Sequence, residues 1–138
     1  MSWIDGLPHQ PPMRLVEEVV AVSPGQRATT RRVTRPDDFF FQGHFPGQPV
    51  VPAIILVELL AQTGGLAVAS IEAGEPSRTN QLRVAGLGPF KFPAAAGVGM
   101  TLEATARLVG KFGGVFKIDG EVTADGVLVA SGSVVLAR

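Results

Sequence analysis

Two stretches in the second half of the chain alternate apolar and polar residues with a period of two, the pattern of a strand with one face buried. Leu102, Ala104, Ala106 and Leu108 alternate with Thr101, Glu103, Thr105 and Arg107. Phe116, Ile118, Gly120 and Val122 alternate with Lys117, Asp119, Glu121 and Thr123. Gly113-Gly114 and Asp125-Gly126 are tight-turn dipeptides, so these strands join a last one, Val127 to Leu136, as a meander. A further strand is predicted over Gln81 to Leu87. Near the start, the runs Arg14 to Val22 and Arg27 to Thr34 flank the turn signal Ser23-Pro24-Gly25-Gln26 and read as a first hairpin.

Between these two sets of strands the pattern changes twice. The segment from Pro36 to Pro52 holds four prolines, two glycines and Phe39, Phe40, Phe41 and Phe45, a composition that predicts neither helix nor strand. A loop of this length in a compact domain is functional or disordered, and its aromatic content argues for order and use. The run AIILVELLAQTGGLAVASIEA from Ala53 follows; it is too long for a strand and apolar on nearly every side, which predicts a helix enclosed by other elements. Gly64 and Gly65 inside it mark a close backbone approach, with a second subunit as a candidate neighbour, a bend or an ordinary break. The expected fold class is α+β: an antiparallel sheet of five to seven strands with one long helix inserted between its early and late strands.

Composition narrows the function classes. The 138 residues predict one domain spanning 1–138, and 46% hydrophobic content is enough for a substantial core. Twelve basic residues balance twelve acidic ones, so no overall field draws nucleic acid or an anionic membrane. The absence of cysteine excludes disulfides, thiolate metal sites and cysteine nucleophiles. No basic start precedes an apolar signal core, which points to a cytoplasmic protein. The stretch from Ala53 to about Ile71 raises the question of a membrane helix, but a central acid costs roughly 2.5 to 3.5 kcal/mol in hydrocarbon, and Glu58 and Gln62 lie within it. Burial in protein is the better reading.

Two residues stand out as proton-transfer groups. His44 lies in GHFPG, within a stiff aromatic loop, and imidazole titrates near neutrality. Glu58 is the only ionisable residue between His44 and Glu72, on a helix with otherwise aliphatic faces, where a carboxylate must find a partner or raise its pKa. Gln62, one turn on, is placed to hydrogen-bond that carboxyl. The plainer reading of Glu58 is a solvent-facing polar stripe, but Glu58, Gln62 and Thr63 make a short one. His9, in LPHQPP, is read as structural. Two histidines without HxH or HExxH spacing predict no metal site, and no phosphate-binding glycine loop or GxSxG elbow is present.

The string FFQGHFPGQPVVPAIILVELLAQTGG resembles the core of the 3-hydroxyacyl-acyl-carrier-protein dehydratases of fatty-acid synthesis: a GHFPG loop, a proline-containing connector, and a helix carrying an acid followed by AQ. LPHQPPMRLVEEV resembles that family's start and VAGLGPFKFP its later strand, so the likeness covers almost the whole chain. The resemblance implies a hotdog fold and a homodimer, with further assembly open, whose sheets join edge to edge. It implies that His44 from one subunit and Glu58 from the other form the catalytic pair, with a backbone N–H near Ala53 at the thioester carbonyl. Gly43, Phe45, Pro46, Gly47, Gln62 and Phe90 are the accompanying substrate-binding candidates, and Phe39, Phe40, Phe41, Phe45 and Phe90 the candidate lining of an acyl tunnel, some of them plain core.

The implied reaction needs no metal or redox cofactor, since His44 and Glu58 would make both proton transfers; the substrate would be carried as a phosphopantetheine thioester on acyl carrier protein or coenzyme A. Arg78, Arg83, Lys91 and Lys111 are the basic contacts a carrier would meet. The chain departs from the pattern in three places: Ala53 stands where glycine is usual, there is no tyrosine to gate a tunnel, and Ala96-Gly97-Val98 replaces a PGD turn. These bear on substrate length and carrier preference more than on reaction type. A hotdog thioesterase and a non-catalytic acyl-thioester-binding hotdog protein are the competing readings.

Overall fold

The computed structural model describes residues 4, 7–43, 47–73 and 82–138. In chain order it contains β1 (Glu18–Ser23), β2 (Arg27–Val33), a 3-10 turn (Phe39–Phe41), α1 (Ala53–Ala73), β3 (Arg83–Lys91), β4 (Thr101–Phe112), β5 (Val115–Ala124) and β6 (Val127–Ala137). The six strands form one antiparallel sheet in the order β1-β2-β4-β5-β6-β3. The first strands sit at one edge and β3 at the other, and α1 packs across β4, β2, β5, β6 and β1. This sheet curled about one long helix is the hotdog arrangement.

The alternation predicted for β4 and β5 is what turns one face of the sheet toward α1. Leu102, Ala104 and Ala106 of β4 and Phe116, Ile118 and Val122 of β5 are buried against Leu59, Leu60 and Leu66 of the helix. Each large apolar side chain removed from water contributes roughly 1.5 to 3 kcal/mol. The predicted turns also form: Asp125 (φ 48°) and Gly126 (φ 84°) both take the left-handed backbone that a two-residue hairpin of this type requires.

The helix runs through Gly64 and Gly65 without a break. Gly64 lies against Ile118 of β5, where an added Cβ would come within 3.0 Å of the isoleucine side chain. The close approach is therefore to the protein's own sheet. No helix among the described residues is long and apolar enough to cross a membrane.

Three expectations shift. The first strand begins at Glu18, not Arg14, because the backbone of residues 13–15 is bonded elsewhere: Leu15 N–H donates to Gln62 Oε1 (3.0 Å), and the Met13 and Leu15 carbonyls accept from Gln62 Nε2 (2.8 Å) and Arg32 (3.1 Å). β3 spans Arg83–Lys91, later than predicted, since its pairing with β6 extends to Lys91 opposite Ser131. The proline-rich loop carries a 3-10 turn that buries Phe40 and Phe41.

Gly120 of β5 sits against both its neighbouring strand and the helix. A Cβ there would collide with the Thr105 carbonyl oxygen and lie 2.7 Å from Leu60 Cδ1. Backbone cannot move aside cheaply, so Gly120→Val is expected to destabilise by about 3 kcal/mol, at the upper end of overpacking costs. Urea unfolding checks this, the midpoint falling with little change in slope.

Candidate active site

Of the polar side chains in the helix interior, two are satisfied by the fold. Thr63 is fully buried; its hydroxyl donates to the Leu59 carbonyl (2.8 Å), so the bond to Thr30 Oγ1 (2.8 Å) uses the Thr30 proton. Gln62 places both ends of its amide on the N-terminal segment, at Leu15 and Met13. Its carbonyl and amide therefore hold that segment to the helix; neither of these bonds goes to the Glu58 carboxyl as the sequence reading anticipated.

Glu58 is the third, and among the described residues it has no hydrogen bond or ion pair. Desolvation by burial pushes its carboxyl above the usual carboxylate range. It lines a cavity of about 370 Å³ with Leu7, His9, Ala61, Gln62, Gly65 and residues of β3 and β6. Ile54, Glu58, Ala61 and Gly65 recur at spacings of four and three, which places them on one face of α1. That face begins with Ile54 at 74% exposed.

His9, read from sequence as structural, is brought into this same cavity. Burial lowers its pKa below the ordinary histidine value, because desolvation disfavours the charged ring. Nothing in local sequence signals this, because the placement is made by the long-range bonds of Gln62 and the burial of Leu7.

The helix amino terminus opens elsewhere. Ala53 lines an apolar cavity of about 450 Å³ with Val50, Val51, Leu56, Phe92 and the Ala94–Ala96 segment. Five residues separate Ala53 from Glu58, which turns them about 140° apart around the helix. The two line different cavities.

His44, Phe45 and Pro46 lie outside the described residues, as does Arg78. The glycines on either side of the first three, Gly43 (φ 72°) and Gly47 (φ 89°), both adopt left-handed backbone with open space at the Cβ position. They are needed for chain direction, not for room. The other aromatic candidates do not line the Glu58 cavity. Phe40 and Phe41 are core, and Phe39 borders a separate charged cleft with Arg14, Arg35 and Asp37. Phe90 stacks on Phe92 at 5.9 Å and lies over Gly132, where any Cβ would meet its ring at 2.6 Å. Among the described residues no three His, Cys, Asp or Glu side chains group as metal ligands.

The stranded carboxyl has a thermodynamic consequence. Between the ordinary carboxylate pKa and the raised one, the folded protein binds more protons than the unfolded chain, so Glu58 makes stability fall as pH rises through that window. Glu58→Gln is expected to be more stable than wild type near pH 7 and about equal to it near pH 3, where both states carry a neutral carboxyl. Urea midpoints at the two pH values check the sign.

Comparison with known proteins agrees with this architecture. Residues 7–133 match the model of the FabA-like domain. The chain is 38% identical over 128 residues to the 3-hydroxyacyl-[acyl-carrier-protein] dehydratase FabZ of Myxococcus xanthus, covering 91% of this chain and 82% of that one. It is 36% identical over 125 residues to the FabZ of Syntrophotalea carbinolica, covering 90% and 83%. In fold it is similar to the dehydratase heterocomplex ApeI:P from Xenorhabdus doucetiae, with a TM-score of 0.80 at 20% identity over 98% of this chain and 90% of the other. The chain belongs to the FabA-like family, with the 3-hydroxyacyl-[acyl-carrier-protein] dehydratases as its relatives.

Proposed function

We propose that this protein is a 3-hydroxyacyl-[acyl-carrier-protein] dehydratase that converts 3-hydroxyacyl thioesters to trans-2-enoyl thioesters in fatty-acid synthesis. The observation that carries the mechanism is Glu58: a half-buried carboxyl with a raised pKa and no partner among the described residues, in a cavity, is equipped to donate a proton near neutrality.

Dehydration requires one proton removed from C2 and one delivered to the 3-hydroxyl. His44 removes the first as general base, and the thioester oxygen gathers charge at the amino terminus of α1 near Ala53, where backbone N–H groups and the helix dipole favour it. Glu58 protonates the hydroxyl, the C3–O bond breaks and water leaves. Both transfers are assigned to side chains, so the reaction needs no metal or redox cofactor.

The site is completed in a homodimer, His44 of one subunit facing Glu58 of the other. Three features support this reading. Ala53 and Glu58 open into different cavities of one protomer. The helix face that carries Glu58 leaves Ile54 exposed. The free edge of β3 exposes Val84 and Leu87, an unpaired strand of the kind that joins a second sheet.

The carrier meets a local basic patch at the cavity rim. Arg83 lines the rim, and Lys111 and Arg138 stand over the Phe116 ring at 6.0 and 5.5 Å. Phe116 pairs with Leu136, and Leu136 with Val84, so the three cations share one end of the sheet. Lys91 lies at the far end of β3, opposite Ser131.

Purified protein supplied with 3-hydroxyacyl carrier thioesters, without added metal, is expected to form enoyl product; thiol release without enoyl absorbance would instead identify a thioesterase. His44→Ala and Glu58→Gln, each nearly inactive alone, should recover about a quarter of wild-type activity when refolded together, because half the random dimers hold one intact site. No recovery from well-folded dimers removes the shared site. For the patch, KM for the carrier substrate should rise with salt while KM for a short pantetheine thioester stays level.

A further inference from the structure

The Glu58 cavity holds one more polar group that the reaction described above does not use. His9 comes from the N-terminal segment, which is firmly placed: Leu7 beside it is buried, Arg14 N–H donates to the Gln10 carbonyl (2.9 Å), and Gln62 and Arg32 grip residues 13–15. The imidazole is therefore delivered to the cavity by fixed backbone.

Its two nitrogens differ. Nδ1 is enclosed and has no hydrogen-bond partner. An enclosed N–H without an acceptor is rarer and costlier than an enclosed lone pair, so Nδ1 carries the lone pair and Nε2 the proton. Nε2 is not enclosed and makes no bond among the described residues, which leaves its N–H as a donor on the open side of the half-buried ring. Elsewhere in the cavity wall Gln62 is committed to backbone, Arg83 is exposed at the rim, and Leu7, Ala61, Leu82, Val84 and Leu136 are apolar. Away from the rim, Glu58 and His9 are the polar side chains of this lining with no partner among the described residues, and so the ones most in need of a polar group from the ligand.

We propose that His9 contacts the substrate, its Nε2–H donating to the oxygen of the 3-hydroxyl and holding it for protonation by Glu58. The inference rests on the dehydratase reading. A hydroxyl oxygen has two lone pairs, so it accepts from both groups at once. His9 neither gains nor loses a proton: Glu58 supplies the proton, the C3–O pair leaves with the water, and the donor hydrogen bond from His9 steadies the charge that grows on that oxygen.

The test compares His9→Ala, His9→Asn and His9→Gln. Gln places an amide N–H where Nε2 stands, while Asn reaches only to the Nδ1 position. Losing one hydrogen bond in an enclosed site is expected to lower kcat/KM by about ten- to a hundredfold in the Ala and Asn variants, with Gln recovering most of the loss. In a Glu58→Gln background, which blocks turnover, His9→Ala should weaken binding of a 3-hydroxyacyl thioester about tenfold or more. It should leave the saturated acyl thioester, which lacks the hydroxyl, unchanged.

Equal weakening of both ligands would overturn the proposal and make His9 a cavity wall. So would full activity in the Ala and Asn variants, or a Gln variant as impaired as Ala. If the Ala variant does not fold by circular dichroism, the Gln and Asn pair still decides between the two nitrogen positions. A wild-type protein without dehydration removes the dehydratase reading itself, an outcome distinct from an active wild type indifferent to His9.

Discussion

An apolar helix that has to be covered on every side governs this molecule. α1 offers almost no polar face, so a sheet on one side is not enough to shield it. The sheet takes the side of Leu59, Leu60, Thr63 and Gly64, and the small inward residues Ala104, Ala106 and Gly120 let it approach closely. The N-terminal segment covers a second side with Leu7 and Leu15. A third face, from Ile54 through Glu58 to Gly65, is left with a cavity and an exposed isoleucine. The candidate chemistry lies where this covering is incomplete, because a carboxyl there is partly dried without being buried against a partner.

The covering segment is fastened by polar bonds as well as by its apolar side chains. Arg32, only 8% exposed, donates to the Leu15 carbonyl, pairs with Asp38 and lies 5.4 Å from the Phe40 ring centre. One side chain of β2 thereby joins the N-terminal segment to the loop that leads into the helix. Taking a guanidinium and a carboxylate out of water is costly, and removing either partner alone strands the other, so such a pair binds its segments by the penalty for separating them. Gln62 makes the matching link to the helix. Together these two residues hold the segment that brings His9 to the cavity Glu58 lines.

How legible an element was in sequence follows how local its causes are. β4 and β5 were readable because alternation against one buried face repeats along the strand itself, and the glycine-containing turns set their register. The helix was readable from its length and apolarity. The ends of β1 and β3 were not, since both are edge strands whose limits depend on which partner supplies hydrogen bonds; the backbone of Leu15, inside the run read from sequence as β1, bonds to Gln62 and Arg32 instead. The aromatic residues misled for a similar reason. Phe40 and Phe41 look like tunnel lining in a loop, yet a 3-10 turn folds them into the core, and Phe90 covers the bare backbone of Gly132.

The sequence by itself determined that Glu58 would be conspicuous: one acid in an aliphatic helix is a statement about desolvation that needs no coordinates. It also determined the sheet-and-helix class, through periodicities of two along the strands and a long apolar run. Tertiary structure alone decided which polar neighbours Glu58 would keep. It turned Thr63 to Thr30, spent Gln62 on the N-terminal backbone, and brought His9 into the lining of the Glu58 cavity. Hydrogen bonds between residues distant in the chain are chosen by packing geometry, and no local pattern encodes which of several equally polar side chains will be left without one.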